Sequence, residues 1–367
     1  MDWIYKQPVE IFFGRGKINR LAELCGKYQK PIIVCDKYFQ TSGMSDKLAK
    51  LLGTTLVYSD ISPNPDVSEV NCCSAVIREN GADIIAVVGG GSAIDLAKAA
   101  SIAVPNIEDY HGTGKPVPAE HIPVIAVPTT SGTGSEVTCV AVLTNRETGK
   151  KCPINSDSFY PTAAIVDAEL TLSVPPRVTA STGIDVLCHA VEGYWSKGHQ
   201  PICDALAVYA ARAVFENLTS AYENPSDIAA REALAEASVI AGLSFTLPKT
   251  TSSHACSFPL TSVYGIPHGE ACGLTLDFFT RINAEDSRTQ NLARLLGFKD
   301  ADGLADEIFK LKKRVGLRLD LCDLNLDSGR INELVASSHH PNLDNNPVEI
   351  TDDILRELYG SLTKGRF

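Results

Sequence analysis

The sequence lacks several features that would place it in other protein classes. It has no basic excess, because 44 acidic residues outnumber 33 lysines and arginines and give a formal net charge of -11. Nucleic-acid phosphates would be repelled by such a surface, so we expect no nucleic-acid partner. No run of about 18 apolar residues occurs, so we expect no membrane span. The opening MDWIYKQPVEIFFGRG also lacks the apolar run typical of a secretory signal.

The eleven cysteines include no C-x-x-C pair, which makes a redox or zinc motif of that kind unexpected. Most lie in apolar company, as Cys35 does in IIVC and Cys139 does in TCVAV. This usage is typical of reduced, buried cysteines and predicts a cytoplasmic location. Low-complexity tracts and internal repeats are absent as well. A chain of 367 residues, 44% of them hydrophobic, is long enough for one large domain or two moderate ones.

The hydrophobic pattern divides the chain into two regions. Short β-branched runs alternate with helical stretches up to about residue 170, and they are PIIVCD (31–36), TTLVYSD (54–60), ADIIAVVGGGS (82–92), IPVIAVPTT (122–130) and AAIVDAEL (163–170). This alternation predicts a parallel sheet covered on both faces. Long Ala/Leu-rich helical patterns follow. We therefore expect an α/β, Rossmann-like domain over 1–175 and an all-α domain over 176–367.

A glycine-rich turn follows one of the predicted strands. The run Gly89-Gly90-Gly91-Ser92 lies between the strand IIAVV and the helical pattern AIDLAKAASIA. Backbone N–H groups at such a turn can face an anion, and the helix N-terminus adds favourable partial charge. The pattern therefore indicates a phosphate loop, with a tight strand-to-helix turn that binds nothing as the alternative.

Two further features favour a nucleotide cofactor. Asp36 ends the first buried strand, where a carboxylate can accept hydrogen bonds from an adenosine ribose and would repel a 2′-phosphate. This position favours NAD(H) over NADP(H). The hydroxyl- and glycine-rich segment PTTSGTGSE (128–136), which contains Thr129, Thr130 and Thr133, can donate hydrogen bonds to the same cofactor. It can also be an ordinary polar loop.

A possible metal site is indicated by the spacing of four side chains. Asp185 and His189 are four residues apart in a helical pattern, so they share one helix face. His254 and His268 flank a segment whose Gly265-Ile266-Pro267 run predicts a turn that brings the two histidines together. Three imidazoles and one carboxylate suit Fe²⁺ or Zn²⁺ better than Mg²⁺ or Ca²⁺. The alternative is that each histidine is a hydrogen-bonded structural residue.

Several long motifs occur in a familiar order. GGGSAIDLAKA, PTTSGTGSEVT, STGIDVLCHAVEGYWS and GIPHGEA together resemble the iron-dependent alcohol dehydrogenase family over nearly the whole chain. The resemblance implies the dehydroquinate synthase-like fold, with an α/β nucleotide-binding domain and a helical metal-binding domain. It also implies NAD(P), one divalent metal (Fe²⁺ or Zn²⁺), a small aldehyde or alcohol as substrate, and a homodimer.

The resemblance implies roles for individual residues. The residues that match the metal ligands are Asp185, His189, His254 and His268. The residues that match cofactor-binding positions are Asp36, Gly89, Gly90, Gly91, Ser92, Asp95, Thr129, Thr130, Thr133, Thr138 and Lys151. Beyond the metal ligands we expect no catalytic side chain.

One position departs from the family pattern. Its alcohol dehydrogenases usually carry a second histidine four residues after the third ligand, often proposed as a proton relay, and here that position is Phe258. The surrounding HACSFPLT and GEAC resemble the phosphonoacetaldehyde reductase branch, which forms 2-hydroxyethylphosphonate. A phosphonate would need a cation and hydroxyl donors, which Lys249 and Ser253 supply. A dehydrogenase of simple alcohols or diols, a dehydroquinate synthase-like lyase and a non-catalytic nucleotide-binding protein are the alternatives.

Overall fold

The computed structural model describes residues 2–365 and contains two units, which are considered separately. The first, called the α/β unit, is Lys6–Leu172. The second, called the helical unit, comprises the described residues 2–5 and 173–365. Among the described residues, no helix has both the length and the apolar character needed to cross a membrane.

The α/β unit is built on a six-stranded parallel sheet with the order β1-β8-β5-β4-β2-β3. The strands of this sheet are β1 (Glu10–Phe13), β2 (Pro31–Cys35), β3 (Val57–Tyr58), β4 (Ile84–Gly89), β5 (Val124–Pro128) and β8 (Ala163–Val166). A separate antiparallel pair is formed by β6 (Val140–Asn145) and β7 (Lys150–Asn155). The helices of the unit are α1 (Arg20–Cys25), α2 (Lys37–Thr41), α3 (Met44–Leu52), α4 (Val67–Asn80) and α5 (Gly91–Ser101).

The central strands explain why the sheet is covered on both faces. In β2, Ile32 and Val34 belong to one hydrophobic cluster, whereas Ile33 and Cys35 belong to another on the opposite face. Successive side chains of a strand point to opposite faces, so an uninterrupted apolar run requires a layer on each side. The predicted parallel-sheet region followed by a helical region is confirmed.

The sheet differs from the sequence-based expectation at its margins. Within the run TTLVYSD, only Val57 and Tyr58 form a strand. This strand, β3, lies at the edge of the sheet and is bonded to β2 alone. Strand β1 and the β6–β7 pair were not predicted. Most of their residues are partly or fully exposed, which gives a weaker signal than a fully buried run.

The helical unit contains ten helices among the described residues. They are α6 (Pro176–Trp195), α7 (Pro201–Glu223), α8 (Ile228–Phe245), α9 (Ser252–Tyr264), α10 (His268–Ile282), α11 (Ser287–Leu295), α12 (Ala301–Arg314), α13 (Ser328–Ser337), α14 (Pro341–Asp344) and α15 (Asp352–Lys364). Helix α6 is buried from Thr179 to Trp195 except at Thr182, and it contacts α7, α8, α9 and α10. A helix that is buried all round forms the centre of its unit.

Glycine allows α10 to approach α6 closely. A Cβ atom on Gly269 would lie 2.0 Å from the carbonyl oxygen of Ser181, and one on Gly273 would lie 2.7 Å from Cγ1 of Ile184. Neither distance leaves room for a side chain, because core atoms are already in contact. The contact fixes the first turn of α10, which begins at His268, beside the turn of α6 that carries Asp185.

Candidate metal centre and nucleotide loop

Four side chains of the helical unit converge on one point. Asp185 comes from α6, His254 from α9, and both His268 and Cys272 from α10. One ligand atom from each lies within 4.8 Å of the others. Nε2 of His254 is 3.7 Å from Oδ1 of Asp185, and Sγ of Cys272 is 3.9 Å from each ring nitrogen of His268. Sequence reasoning selected three of these donors and missed Cys272.

The remaining predicted ligand, His189, lies next to this group but outside it. Its ring centroid is 4.7 Å from that of His254. On its other side the ring is stacked on Phe245, at 4.1 Å and an interplanar angle of 7°. The structure therefore places His189 on the face of α6 that meets His254, as the four-residue spacing predicts, with Phe245 against its ring.

Glu192 is a further residue of the site that the sequence analysis did not select. Its carboxylate is fully buried and accepts hydrogen bonds from Oγ1 of Thr251 at 2.9 Å and from the backbone N–H of Ser253 at 2.6 Å. It also contacts Nδ1 of His254. A carboxylate behind an imidazole orients the ring so that its second nitrogen faces the metal. The signal was present, because Glu192 is seven residues after Asp185 on the same helix face.

The donor set fits a divalent transition metal. A carboxylate, imidazoles and a thiol, all buried or half-buried, are typical of Fe²⁺ or Zn²⁺ sites, whereas Mg²⁺ and Ca²⁺ take oxygen ligands. Asp185, His254 and His268 would hold such an ion. His189 and Cys272 are the nearest additional donors.

Phe258 forms one wall beside this group. Its ring is stacked on His268 with a centroid distance of 6.4 Å, and it contacts His340 at 4.7 Å. Burial lowers the pKa of His340, which favours the neutral imidazole. Nδ1 of His340 accepts the backbone N–H of Asn342, so the neutral ring carries its proton on Nε2. An imidazole from a distant part of the chain therefore contacts the ring that replaces the expected histidine.

Of the predicted substrate residues, Lys249 precedes α9 and Ser253 lies in the first turn of α9. Ser253 is fully buried, and its backbone is held by Glu192. Lys249 is half-buried and has a φ of 68°, a left-handed conformation that costs a residue with a side chain about 1 kcal/mol or more. Asn345 stabilises this segment by donating to the carbonyl oxygens of Pro248 and Thr250.

In the α/β unit, the glycine turn meets the end of strand β2. The backbone N–H of Gly90 donates to Oδ2 of Asp36 at 3.0 Å. A Cβ on Gly89 would lie 2.7 Å from the same oxygen, and one on Gly91 would lie 2.6 Å from Cγ2 of Thr133. The turn therefore requires glycine for close approach. The carboxyl ends of neighbouring parallel strands are where open α/β sheets bind ligands.

Two predicted cofactor residues, Asp95 and Thr138, belong to a buried network behind this turn. The fully buried ammonium of Lys98 donates to the carbonyl and hydroxyl oxygens of Ser135 at 2.9 and 2.8 Å, and to Oγ1 of Thr138 at 3.2 Å. Asp95 accepts from the Ser135 hydroxyl and from the backbone N–H of Val142. These side chains join α5 to the loop after β5.

The other predicted cofactor residues surround the same turn. The backbone N–H of Thr129 donates to the carbonyl of Gly89 at 3.1 Å, and Oγ1 of Thr130 lies 3.4 Å from the position of a Cβ on Gly90. Ser92 and Lys151 both contact Asn64, through the Asn64 backbone N–H and side-chain oxygen respectively. The structure thus brings the predicted set together around one turn.

A glycine-rich turn at the end of a parallel sheet and a buried donor group for Fe²⁺ or Zn²⁺ define a metal-dependent dehydrogenase. Comparison with known families gives the particular class. Residues 8–168 match the iron-containing alcohol dehydrogenase model, and residues 179–363 match the model of the C-terminal part of that family. The chain belongs to the iron-containing alcohol dehydrogenase family. The predicted family and the predicted NAD-dependent alcohol dehydrogenase activity are confirmed.

Individual relatives are similar over most of the chain. The crystal structure of sulfoacetaldehyde reductase from Bifidobacterium kashiwanohense in complex with NAD⁺ is 56% identical, with a TM-score of 0.96 and 99% of each chain covered. Sulfoacetaldehyde reductase of Bilophila wadsworthia is 35% identical and covers 77% of this chain and 75% of its own length. NAD-dependent methanol dehydrogenase of Bacillus methanolicus is 34% identical and covers 81% of each.

Proposed function

We propose that the enzyme uses NADH to reduce sulfoacetaldehyde, a two-carbon aldehyde with a sulfonate group, to 2-hydroxyethanesulfonate. The observation that carries the proposal is the 56% identity, over 99% of both chains, to a sulfoacetaldehyde reductase whose structure contains NAD⁺. Two of the three relatives described above are sulfoacetaldehyde reductases, the third is a methanol dehydrogenase, and none is named for a phosphonate. The phosphonate substrate therefore stays a sequence-based prediction and becomes the second arm of the test.

The reaction consumes one aldehyde, one NADH and one proton, and it produces one alcohol and one NAD⁺. When bound, the metal supplies a Lewis acid that polarises the carbonyl oxygen, and NADH supplies the hydride. Asp185, His254 and His268 hold the metal in this proposal, and Glu192 fixes the orientation of His254. Asp36 and the glycine turn at Gly90 bind the adenosine and phosphate end of NADH.

The negative charge of the sulfonate requires a partner. Lys249, the predicted cation, precedes α9, the helix that carries His254. Its left-handed backbone is held by Asn345 from another part of the helical unit, which is the kind of strain that folded proteins keep at functional sites. The Phe258 ring, between His268 and His340, covers the reacting end of the substrate and excludes water.

A substrate panel tests the proposal. NADH oxidation should be measured with sulfoacetaldehyde, phosphonoacetaldehyde and the uncharged propionaldehyde, after Fe²⁺ or Zn²⁺ has been restored. We expect the highest kcat/KM with sulfoacetaldehyde. A preference for phosphonoacetaldehyde would instead support the phosphonate branch, and a preference for propionaldehyde would support a dehydrogenase of simple alcohols.

Replacing Lys249 separates charge recognition from the reaction itself. Lys249→Gln should raise KM for sulfoacetaldehyde roughly 10–150-fold, because a charge-assisted hydrogen bond contributes roughly 1.5–3 kcal/mol. KM for propionaldehyde should stay unchanged. Lys299→Gln is the matched control, since that side chain is 93% exposed and its loss changes the net charge equally. Equal effects of Lys249→Gln on both aldehydes would remove Lys249 from the sulfonate site.

A further inference from the structure

We propose that His340 is a specificity-determining residue of this enzyme, and that its Nε2–H donates a hydrogen bond to the sulfonate of the substrate. The inference rests on the proposed sulfoacetaldehyde reductase activity and adds a second sulfonate-binding side chain to Lys249. His340 immediately precedes α14, in a segment to which the sequence analysis gave no role.

His340 is the next aromatic ring beyond the metal donors. The ring of Phe258 is stacked on His268 with a centroid distance of 6.4 Å, and the ring of His340 contacts Phe258 at 4.7 Å. Burial lowers the pKa of His340, and the nearby His254 lowers it further. Under the proposed function the aldehyde group lies at the metal donors, and the sulfonate is bonded to the carbon next to the aldehyde carbon. The sulfonate therefore lies among the side chains that border the donor group, and His340 is one of them.

One nitrogen of the His340 ring is available to a ligand. Nδ1 accepts the backbone N–H of Asn342 at 3.2 Å, so the neutral ring carries its hydrogen on Nε2. Within residues 2–365, Nε2 has no hydrogen-bond partner, and it is accessible rather than sealed in the interior. The bond at Nδ1 caps α14, but serine, threonine or asparagine would cap a helix equally well. Capping therefore does not explain why an imidazole occupies this position.

A neutral donor suits a sulfonate better than a phosphonate. A sulfonate carries one negative charge, which a single cation such as Lys249 balances, and its remaining oxygens need hydrogen-bond donors without further charge. A phosphonate, like a phosphate group, takes a second negative charge near neutral pH and would require a second cation. Burial keeps His340 neutral, so it supplies the kind of donor that a sulfonate needs.

Hydrogen bonds fasten the segment that begins at His340 to the segment that contains Lys249. Nδ2 of Asn342 donates to Oγ1 of Thr250 at 2.8 Å, and Nδ2 of Asn345 donates to the carbonyl oxygen of Thr250 at 3.1 Å. Thr250 directly follows Lys249 and precedes α9. The two proposed sulfonate-binding residues therefore come from segments that are joined to each other, as a preorganised anion site requires.

Two substitutions separate anion recognition from helix capping. His340→Asn keeps an acceptor for the Asn342 N–H but is too short to place a donor where Nε2 lies, whereas His340→Gln keeps a donor at about that distance and is the poorer cap. We expect His340→Asn to raise KM for sulfoacetaldehyde about tenfold or more, with a much smaller change for the uncharged propionaldehyde and an unchanged melting temperature. His340→Gln should raise KM for sulfoacetaldehyde less.

The neighbouring histidine provides a matched control. His339 is 57% exposed, and its Nε2 is bonded to Asp352 at 2.9 Å, so His339→Gln should leave KM for both aldehydes unchanged. If His340→Gln raises KM more than His340→Asn does, or if His340→Asn affects both aldehydes equally, His340 acts as a helix cap and the proposal is wrong.

Inhibition by ethanesulfonate, which has the sulfonate but no carbonyl group, measures recognition of the anion alone. Its inhibition constant against propionaldehyde should rise in His340→Asn by about the same factor as KM for sulfoacetaldehyde, and an unchanged constant would overturn the role of His340. A wild-type preference for propionaldehyde over sulfoacetaldehyde would instead overturn the proposed function. The failure of one proposal can therefore be told from the failure of the other.

Discussion

The two units use their polar side chains differently. In the helical unit, donor atoms from α6, α9 and α10 converge within 4.8 Å, so the side chains themselves form the candidate metal site. In the α/β unit, Asp95, Lys98 and Thr138 are bonded mainly to one another or to the backbone beside them. A metal needs side-chain ligands, whereas a phosphate is bound largely by backbone N–H groups. The motif side chains behind the glycine turn therefore hold the backbone of the loop after β5 in place.

The largest effect is expected at the α6–α10 contact. Gly269→Ala places a Cβ 2.0 Å from the Ser181 carbonyl oxygen, so α10 must move away from α6 and carry His268 with it. We expect a loss of about 3 kcal/mol in the free energy of unfolding, together with loss of bound metal. Metal content and thermal unfolding measure this change.

Gly360→Ala is the control for that substitution. A Cβ on Gly360, in α15, would meet no atom within 4 Å. Alanine in a helix is favoured over glycine by roughly 0.5–1 kcal/mol, so this variant should be neutral or slightly more stable. If Gly269→Ala behaves like Gly360→Ala, the helix contact does not position the metal donors.

A pH effect on stability is expected from one buried carboxyl group of the α/β unit. Burial raises the pKa of Glu136 from its ordinary 4.5 to about 7, while Lys98 opposes the rise. The folded state then keeps a proton that the unfolded state has already lost, so stability falls as the pH rises from 4.5 to about 7. The loss is roughly 3 kcal/mol at most. Glu136→Gln should remove this part of the pH dependence.

Thermal unfolding of the wild type and of Glu136→Gln, at about pH 5 and about pH 8, measures this effect on stability. Glu136→Gln should gain stability relative to the wild type at the higher pH, and its metal content should not change. An identical pH profile for the two proteins would mean that Glu136 does not titrate in this interval.

A smaller effect on metal binding is expected from Glu192. Glu192→Gln keeps the size of the side chain but removes the negative charge behind His254. Residues that orient a ligand in this way typically contribute 10–100-fold to metal affinity, roughly 1.4–2.7 kcal/mol. Competition with a chelator measures the change. Thr251→Val removes a hydrogen bond to Glu192, and also the acceptor of the Trp195 Nε1–H, but it keeps the Glu192 carboxylate. It should therefore reduce the metal affinity less; the opposite order would argue against orientation of His254 by charge.

The smallest effect is expected at Asp36 and concerns the choice of cofactor. Asp36→Ala removes the carboxylate that would repel a 2′-phosphate, so the ratio of kcat/KM for NADPH to that for NADH should rise about tenfold. Asp60→Ala, which removes an exposed acid of the same unit, should leave the ratio unchanged. If the two variants behave alike, Asp36 does not select NADH.

Much of the architecture could be predicted from local sequence patterns. Strands β2, β4, β5 and β8 are continuous apolar runs. The glycine turn lies between strand β4 and helix α5, as the sequence pattern predicts. The convergence of Asp185 and His254 depends on contacts between helices, which local periodicity does not encode. The family motifs supplied that pairing. The spacing places Glu192 on the helix face of Asp185 and Cys272 on that of His268. Only the structure shows which side chains from other helices face them.

The contact at Gly269 also bears on how such an enzyme can change. Position 269 meets the backbone of α6, whereas the Phe258 wall and Lys249 are made of side chains on α9 and the segment before it. Under the proposed function, replacing a wall residue would alter what fits beside the metal without moving α10 away from α6. Substrate range would then diverge through single substitutions in one segment while the α6–α10 contact is kept, which makes α9 the place to begin when engineering this enzyme for another aldehyde.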